Sequence, residues 1–184
     1  MVILIGGASH TGKTLLAQKL IEQYRFPCVS IDHLKMGLIR SDQTELTPMD
    51  DDKLTEYLWP IVREMVKTAI ENCQNLIVEG CYIPLDWQKD FEPFYLEQIR
   101  YVCLILSRRY LETHFDDLLA YAGVVERRLD DSYLDRDALI AENAYNLEEC
   151  IRRNLPYQLM DETYLLATAW TGFEGKESEY ETAD

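Results

Sequence analysis

Two hydrophobic patterns alternate along this chain. Short continuous apolar runs are typical of strands that are buried on both faces. Longer stretches, in which apolar positions recur every three or four residues, are typical of amphipathic helices. The short runs predict five strands, at residues 2–5, 28–31, 76–80, 101–106 and 156–160.

The helical pattern fills most of the chain between these runs. Ser30 or Asp32 is the predicted cap of the second helix, and Pro60 predicts a kink or a restart in the third. The polar residues 41–52 predict a loop, and the acidic residues 174–184 a frayed tail. The helices are predicted over residues 13–24, 32–40, 54–70, 108–122, 138–154 and 163–170, with a strand over 164–167 as the alternative for the last.

The alternation of strands and helices predicts an α/β fold, a parallel sheet covered by helices on both faces. At 184 residues the chain fits one domain. Ligands of such sheets bind beside the carboxyl ends of the strands. Residues 7–14, Asp32 and Glu79 each follow or end a predicted strand, so we expect them to meet at one edge of the sheet.

Charge and composition narrow the function classes. The formal net charge of −15 argues against nucleic acid as a partner, because polyanion binding needs basic patches. No apolar run approaches the roughly 20 residues that span a bilayer, and residues 1–5 lack the features of a signal peptide. The sequence therefore predicts a cytoplasmic protein without a membrane partner. Its five cysteines include no Cys-x-x-Cys pair and are expected to be reduced.

A glycine-rich segment between the first strand and the first helix is the most specific feature. It satisfies the pattern G-x-x-x-x-G-K-[ST] in the required structural context. Glycines allow main-chain N–H groups to point at phosphate oxygens, the lysine reaches the β- and γ-phosphates, and the threonine hydroxyl binds Mg²⁺. The segment predicts a site for ATP and Mg²⁺, made by Gly7, Ala8, Ser9, His10, Thr11, Gly12, Lys13, Thr14 and the adjoining Leu15.

Two classes of protein use such a loop, a kinase with a small acceptor and a nucleoside-triphosphatase switch. The Asn-Lys-x-Asp motif of guanine recognition is absent from the sequence, whereas arginines cluster after the fourth strand, as in a closing lid. Over residues 1–173 the layout resembles the P-loop small-molecule kinases, which include adenylate, shikimate and 2-phosphoglycerate kinases, chloramphenicol phosphotransferase and zeta-type toxins. The resemblance implies strand order 2-3-1-4-5 and a lid at about residues 115–138.

Asp32 follows the second strand, where these kinases place an acidic residue. There the resemblance implies contact with the acceptor hydroxyl or with a water bound to Mg²⁺. Physically, a carboxylate here orients or deprotonates the nucleophile, unless it only caps the next helix. On that helix, Lys35 and Arg40 point toward an anionic acceptor or are solvated surface charges.

Glu79 ends the third strand after three apolar residues, so it needs a partner. Three partners are possible. The first is Mg²⁺ bound by Glu79 and Thr14, the second is a group of the acceptor bound at Glu79 and Gly80, and the third is Lys13 in an ion pair. Adenylate kinases carry an arginine for AMP shortly after this acid. Here residues 83–84 are Ile and Pro, which favours a different acceptor.

The lid arginines of the family neutralise charge on the transferred group. In this chain the resemblance implies that role for Arg127 or Arg128, and less strongly for Arg108 or Arg109. It also implies adenine contacts near residues 161–163. Four aromatic residues either shape an acceptor pocket or pack in the core; they are Trp59, Tyr82, Trp87 and Tyr95.

The sequence thus predicts an ATP-dependent phosphotransferase, in which Lys13, Asp32 and a lid arginine are catalytic and the acceptor is a small-molecule hydroxyl or phosphate. A nucleoside monophosphate kinase and an ATP-hydrolysing or ATP-binding switch are the alternatives. We expect a monomer or a homodimer.

Overall fold

The structure, a computed structural model, describes residues 1–125 and 135–167. Five strands and six helices alternate along this part of the chain, with a 3-10 helix at Trp87–Asp90. The strands are β1 (Val2–Gly7), β2 (Cys28–Ser30), β3 (Leu76–Glu79), β4 (Ile99–Leu106) and β5 (Tyr157–Met160). The helices are α1 (Lys13–Tyr24), α2 (Ile31–Arg40), α3 (Asp51–Glu71), α4 (Pro93–Leu96), α5 (Arg108–Val125) and α6 (Arg136–Arg153).

The strands form one parallel sheet in the order β2-β3-β1-β4-β5. β3 lies between β1 and β2, and its last residue, Glu79, is in register with Ile5 on one side and Ser30 on the other. β4 pairs with β5 over four residues. The predicted fold class and strand order are confirmed. Because the strands are parallel, the chain leaves β1, β2 and β3 at the same edge of the sheet.

The chain divides into two compact units, of which the first comprises residues 1–7 and 12–101. Its core is the β1, β2 and β3 part of the sheet together with α1 and α3. The side chains at its centre are aliphatic and fully buried: Ile3, Leu4, Ile5, Leu16, Leu20, Leu54, Leu58 and Ile77. Burying each of them contributes on the order of 1.5–3 kcal/mol by the usual area estimate.

The second unit comprises residues 8–11 and the described residues from Val102 onward. The buried amide of Asn143 fastens α6 to β4, because it accepts a hydrogen bond from the Leu106 N–H at 2.8 Å and donates to the Leu139 carbonyl at 2.9 Å. α6 begins at a side-chain cap, in which Asp135 accepts from the N–H groups of Asp137 and Ala138. Such a cap typically stabilises a helix by about 1 kcal/mol.

Most predicted boundaries lie within a few residues of the observed ones. The structure corrects the end of the predicted loop at residues 41–52 and excludes one of the two alternatives at Pro60 and at the cap of α2. Asp51 and Asp52 belong to the first turn of α3 rather than to a loop, and their carboxylates suit the positive end of that helix. Pro60 lies inside one continuous helix, so there is no restart. Ser30 rather than Asp32 occupies the N-cap position of α2, and its side chain makes no capping hydrogen bond.

The predicted closing helix at residues 163–170 does not form over its described part, and neither does the alternative strand, since residues 164–167 have no regular structure. The buried Gln158 explains this. Its side chain donates to the Leu165 carbonyl and accepts from the Ala167 N–H, so these main-chain groups are bound outside any helix or ladder.

Some predictions concern residues outside the described ranges. These are the lid arginines Arg127 and Arg128 and the acidic tail at residues 174–184. Within the described ranges, no helix combines the length and apolar character needed to cross a bilayer.

Candidate active site

The glycine-rich segment forms a tight connection between β1 and α1. Its main chain adopts left-handed angles at Gly7 (φ 129°), His10 (φ 62°) and Gly12 (φ 88°). The two glycines therefore stand where a side chain would be strained, as the motif predicts. Thr11 is fully buried, and its hydroxyl donates to the Ala8 carbonyl at 2.9 Å, which closes the loop on itself.

His10 is half-buried, and it adopts a left-handed backbone angle although it is not a glycine. The imidazole Nδ1 lies 2.8 Å from the Ser9 hydroxyl. This local hydrogen bond holds the turn.

α1 begins directly at Lys13, followed by Thr14 and Leu15, so the N-terminal end of the helix faces the loop. The positive end of the helix dipole makes this a favourable place for an anion. Lys13 is 6% exposed. The geometry is that of a phosphate cradle with a buried ammonium.

Three side chains affect the pKa of Lys13, a thiol and two carboxyl groups. Burial lowers the pKa of the Lys13 ammonium, but Cys81, Glu79 and Asp32 together outweigh burial, so the net pKa is raised. The Cys81 side chain is also a hydrogen-bond partner of Lys13. Lys13 is therefore protonated at neutral pH, as a phosphate-binding charge must be.

Glu79 is 2% exposed at the end of β3, between the strand ends that lead into the phosphate loop and into α2. The Glu79 charge also affects the neighbouring β2. Burial is the larger cause and the Glu79 charge the smaller cause that together raise the pKa of the Cys28 thiol to about 11. The register partner of Glu79 on β2, Ser30, has a buried hydroxyl without a hydrogen-bond partner in the described residues. A ligand or a water molecule would satisfy that hydroxyl.

Asp32 lies in the first turn of α2 and belongs to a polar network. The Lys35 ammonium donates to the Asp32 carboxylate at 2.7 Å and to the Tyr82 hydroxyl at 2.9 Å. The Tyr82 hydroxyl donates in turn to the Asp51 carboxylate at 3.0 Å. We call these four residues, Asp32, Lys35, Asp51 and Tyr82, the acceptor floor. Burial, together with Asp51 and Asp32, raises the pKa of the Tyr82 phenol.

The structure brings together most of the predicted residues of the first unit. Lys13, Asp32 and Glu79 interact, and Lys35 joins Asp32. Gly80 follows Glu79, and a side chain at Gly80 would collide with Ile31, since a Cβ at this position would lie 2.8 Å from the Ile31 Cβ. Arg40, by contrast, is exposed at the last position of α2. Eight residues of helix place it about 12 Å along the axis from Asp32.

In the second unit, Tyr164 connects the segment after β5 to the phosphate loop. Its hydroxyl donates to the Thr11 carbonyl at 3.2 Å, and its ring lies 6.3 Å from that of Tyr110. Arg109 in α5 pairs with Glu162 at 2.7 Å. Arg108 pairs with Glu112 at 3.4 Å, on the exposed surface.

The aromatic residues named from the sequence divide between site and core. Tyr82 is part of the acceptor floor. Trp59 and Trp87 are buried against Phe91, and Tyr95 also contacts that ring. For these three residues, packing is the observed role.

Searches by sequence give no relative: no family model matches the chain, and no curated protein matches it. Solved structures do match. A protein inferred to be a kinase, from Chloroflexus aurantiacus j-10-fl, has a TM-score of 0.50 at 18% identity, over 77% of this chain and 78% of its own. Deoxyadenosine kinase from M. mycoides has a TM-score of 0.51 at 13% identity, over 88% of this chain and 90% of its own.

This chain has the fold of the P-loop small-molecule kinases. At these identities the likeness concerns the fold alone. The residues of a P-loop kinase site must therefore be judged on the geometry described above.

Mg²⁺ fits the residues present. No group of three or more His, Cys, Asp or Glu side chains that could hold a metal occurs within the described ranges. Mg²⁺ usually keeps several waters and binds one or two protein oxygens together with phosphates. The Thr14 hydroxyl and the Glu79 carboxylate are oxygen donors of that kind, beside a cradle suited to phosphate.

The contacts of three residues were not predicted from the sequence. Cys81 lies two positions after Glu79, Asp51 lies in what was predicted to be a loop, and Tyr164 lies in the predicted closing helix. Only Asp51 has a local signal, since two acidic residues before an apolar periodicity mark the first turn of a helix. The contacts of Cys81 and Tyr164 depend on the tertiary structure.

Proposed function

We propose that this protein transfers the γ-phosphoryl group of ATP to a small-molecule acceptor. The observation that supports this most strongly is that Lys13, Asp32 and Glu79, which lie far apart in sequence, meet at the edge of the sheet where β1, β2 and β3 end. A buried ammonium beside a phosphate cradle suits a triphosphate, and two nearby carboxylates suit a metal and a nucleophile. The polar network of the acceptor floor, which includes Asp32, suits the binding of a small molecule, and this favours the kinase over an ATP-hydrolysing switch.

Each residue has a proposed task. The N–H groups of the loop and the N-terminus of α1 bind the phosphates, and Lys13 adds a positive charge at the β- and γ-phosphates. Thr14 and Glu79 would hold Mg²⁺, directly or through water. When bound, that ion neutralises charge that develops on the phosphoryl oxygens. Arg127 or Arg128 would add positive charge from the lid.

Asp32 would accept a hydrogen bond from the attacking hydroxyl and hold it in line with the phosphorus. Its carboxylate already accepts from the Lys35 ammonium at 2.7 Å. A carboxylate in such an ion pair is a weaker base, so positioning rather than early deprotonation is its proposed role. As the bond from the acceptor oxygen to the γ-phosphorus forms, the bond from that phosphorus to the ADP oxygen would break, and the proton would pass to the Asp32 carboxylate.

The test combines nucleotide binding with phosphoryl transfer. We expect the wild-type chain to bind Mg-ATP in calorimetry and to transfer label from γ-³²P-ATP to a small molecule. Lys13→Ala should abolish both nucleotide binding and phosphoryl transfer. Asp32→Asn should lower transfer by at least about 100-fold, in the range typical of a general acid–base or positioning residue, and leave ATP binding largely intact.

The control is Asp42→Asn, which changes a carboxylate in the turn after α2. It should behave as wild type. Hydrolysis of ATP at a rate that no small molecule increases would refute the kinase and favour the switch. Absence of Mg-ATP binding would refute both.

The same proposal includes a cytoplasmic location, where ATP and metabolites are available, and a monomer or homodimer in solution. Sedimentation measurements with and without Mg-ATP would determine the oligomeric state.

A further inference from the structure

We propose that the phosphoryl acceptor is a hydroxyl-rich molecule that has no phosphate or carboxylate group. This inference rests on the proposed kinase function and narrows its substrate class. It comes from the charges of the acceptor floor and from how those charges are already paired.

Lys35 is the positive charge of the floor, and it is fully engaged within the protein. Its ammonium donates to Asp32 and Tyr82, at 2.7 and 2.9 Å, and lies 4.9 Å from the centre of the Tyr82 ring. The side chain is 13% exposed. An ammonium has three donors, so two hydrogen bonds and a ring contact account for it. Lys35 therefore balances the protein's own carboxylates.

The accessible charges of the floor are negative. The Asp32 side chain is 30% exposed, and Asp51 is exposed at the start of α3. Against the single ammonium of Lys35, these two carboxylates leave a net charge of −1. Lys13 does not change this balance, because the nucleotide phosphates take up its charge. A phosphate or carboxylate that entered the floor would meet like charge at short range in a partly buried site, where such repulsion is weakly screened.

Four other basic side chains among the described residues of the first unit pair with carboxylates outside the floor. Phosphate and carboxylate acceptors are usually recognised by arginines with paired N–H groups directed at the anion. The basic residues with carboxylate partners outside the floor are Lys53 with Asp50, Arg63 with Glu64, Lys67 with Glu92 and Lys89 with Asp86. Arg40 is about 12 Å along α2 from Asp32.

Hydroxyl groups complement the floor. A carboxylate has about four acceptor positions and no donor. Asp32 and Asp51 lie at the two ends of the Asp32–Lys35–Tyr82–Asp51 hydrogen-bond chain. A molecule with several hydroxyls can donate to one carboxylate with the hydroxyl that is phosphorylated and to the other with a second hydroxyl. An added amine would be tolerated, because it also donates.

The experiment separates natural metabolites by charge. A small-molecule extract of bacterial cells is passed over an anion-exchange resin, which retains phosphates and carboxylates and passes neutral and cationic molecules. Both fractions are incubated with the enzyme and γ-³²P-ATP, with Lys13→Ala as the blank. We expect labelled product from the unretained fraction.

Labelled product only from the retained fraction would overturn the inference and leave the kinase intact. No product from either fraction would refute the proposed function, and the inference with it. If both fractions give labelled product, kcat/KM is compared within matched pairs of acceptors, which are a nucleoside with its monophosphate and a sugar with its sugar acid. A higher kcat/KM for the anionic member would overturn the inference.

A variant connects the selectivity to the floor. Asp51→Asn keeps the size of the side chain and removes one charge. With acceptor molecules of the unretained fraction, the KM for the acceptor should rise about tenfold, which is the effect of losing one charge-assisted hydrogen bond. The KM for ATP should not change. Asp52→Asn, one residue along the same helix, is the matched control and should have the wild-type KM. Equal acceptor KM values in both variants would show that Asp51 does not contact the acceptor and would overturn the inference.

Discussion

The Tyr82 hydroxyl joins α2, α3 and the segment after β3, and its removal gives a prediction with a definite size. The side chain is 5% exposed. The hydroxyl accepts from Lys35 at 2.9 Å and donates to Asp51 at 3.0 Å. Tyr82→Phe deletes both hydrogen bonds and keeps the ring, so the packing of the ring and its contact with Lys35 are preserved.

The magnitude follows from what remains after the change. A hydrogen bond to a charged group contributes about 1.5–3 kcal/mol to stability. Both former partners of the hydroxyl still have a hydrogen-bond partner, because Lys35 retains Asp32 at 2.7 Å and the exposed Asp51 binds water instead. We therefore expect Tyr82→Phe to lower the free energy of unfolding by about 1–2 kcal/mol, below the sum of two such bonds. In a chain of this size that corresponds to a fall in Tm of about 2–8 °C.

The assay is urea unfolding at pH 7, followed by fluorescence. The control is Tyr57→Phe on α3, where the deleted hydroxyl donates to the Gln43 carbonyl at 3.1 Å in an exposed position. That change should cost less than about 0.5 kcal/mol. In a double-mutant cycle with Lys35→Met, the coupling energy with Tyr82→Phe should be about 1 kcal/mol. A coupling energy of zero, or equal losses in Tyr82→Phe and Tyr57→Phe, would refute the network.

Two further predictions concern packing and pH. Gly6→Ala would place a Cβ 2.8 Å from the hydroxyl of the buried Tyr101, so it should lower the free energy of unfolding by about 1–3 kcal/mol. Adding Tyr101→Phe to the same chain removes that hydroxyl and should restore most of the loss. Equal stability of the single and double variants would contradict this. Hydrogen bonds from Arg152, then from Arg153, lower the pKa of Glu149 from 4.5 to about 2. The carboxylate therefore contributes stability above pH 4.5 that is lost as the pH falls toward 2, and the stability difference between wild type and Glu149→Gln, measured by urea unfolding, should shrink over that window; a constant difference would refute the assignment.

The parts of the molecule that follow from local pattern could be predicted from the sequence. The phosphate loop is one short segment, and the angles at Gly7 and Gly12 are those that its glycines serve. The edge shared by the loop, Asp32 and Glu79 followed from a general rule, because the carboxyl ends of parallel strands lie together. Each of these predictions needs only the order of strands and the residue that ends each one.

The parts that depend on contacts between distant segments could not be predicted. Nothing in the residues around Tyr82 indicates that its hydroxyl lies between Lys35, 47 positions before it, and Asp51, 31 positions before it. Gln158 likewise overrides a helical pattern at residues 163–167, because a buried amide must satisfy its own donor and acceptor.

The sequence places the positive side chains of Lys35 and Arg40 near Asp32, which allowed an anionic acceptor as one interpretation. The structure changes the meaning of Lys35, since an ammonium bound by a carboxylate and a phenol no longer represents a free positive charge. The charges counted along the chain therefore suggest an anionic acceptor, whereas the ion pairs in the structure favour an acceptor without negative charge. In the proposed kinase, Lys13 would serve the nucleotide and Lys35 balances carboxylates of the protein itself. The accessible carboxylates of Asp32 and Asp51 would then accept hydrogen bonds from hydroxyl groups, which is why we propose an uncharged acceptor.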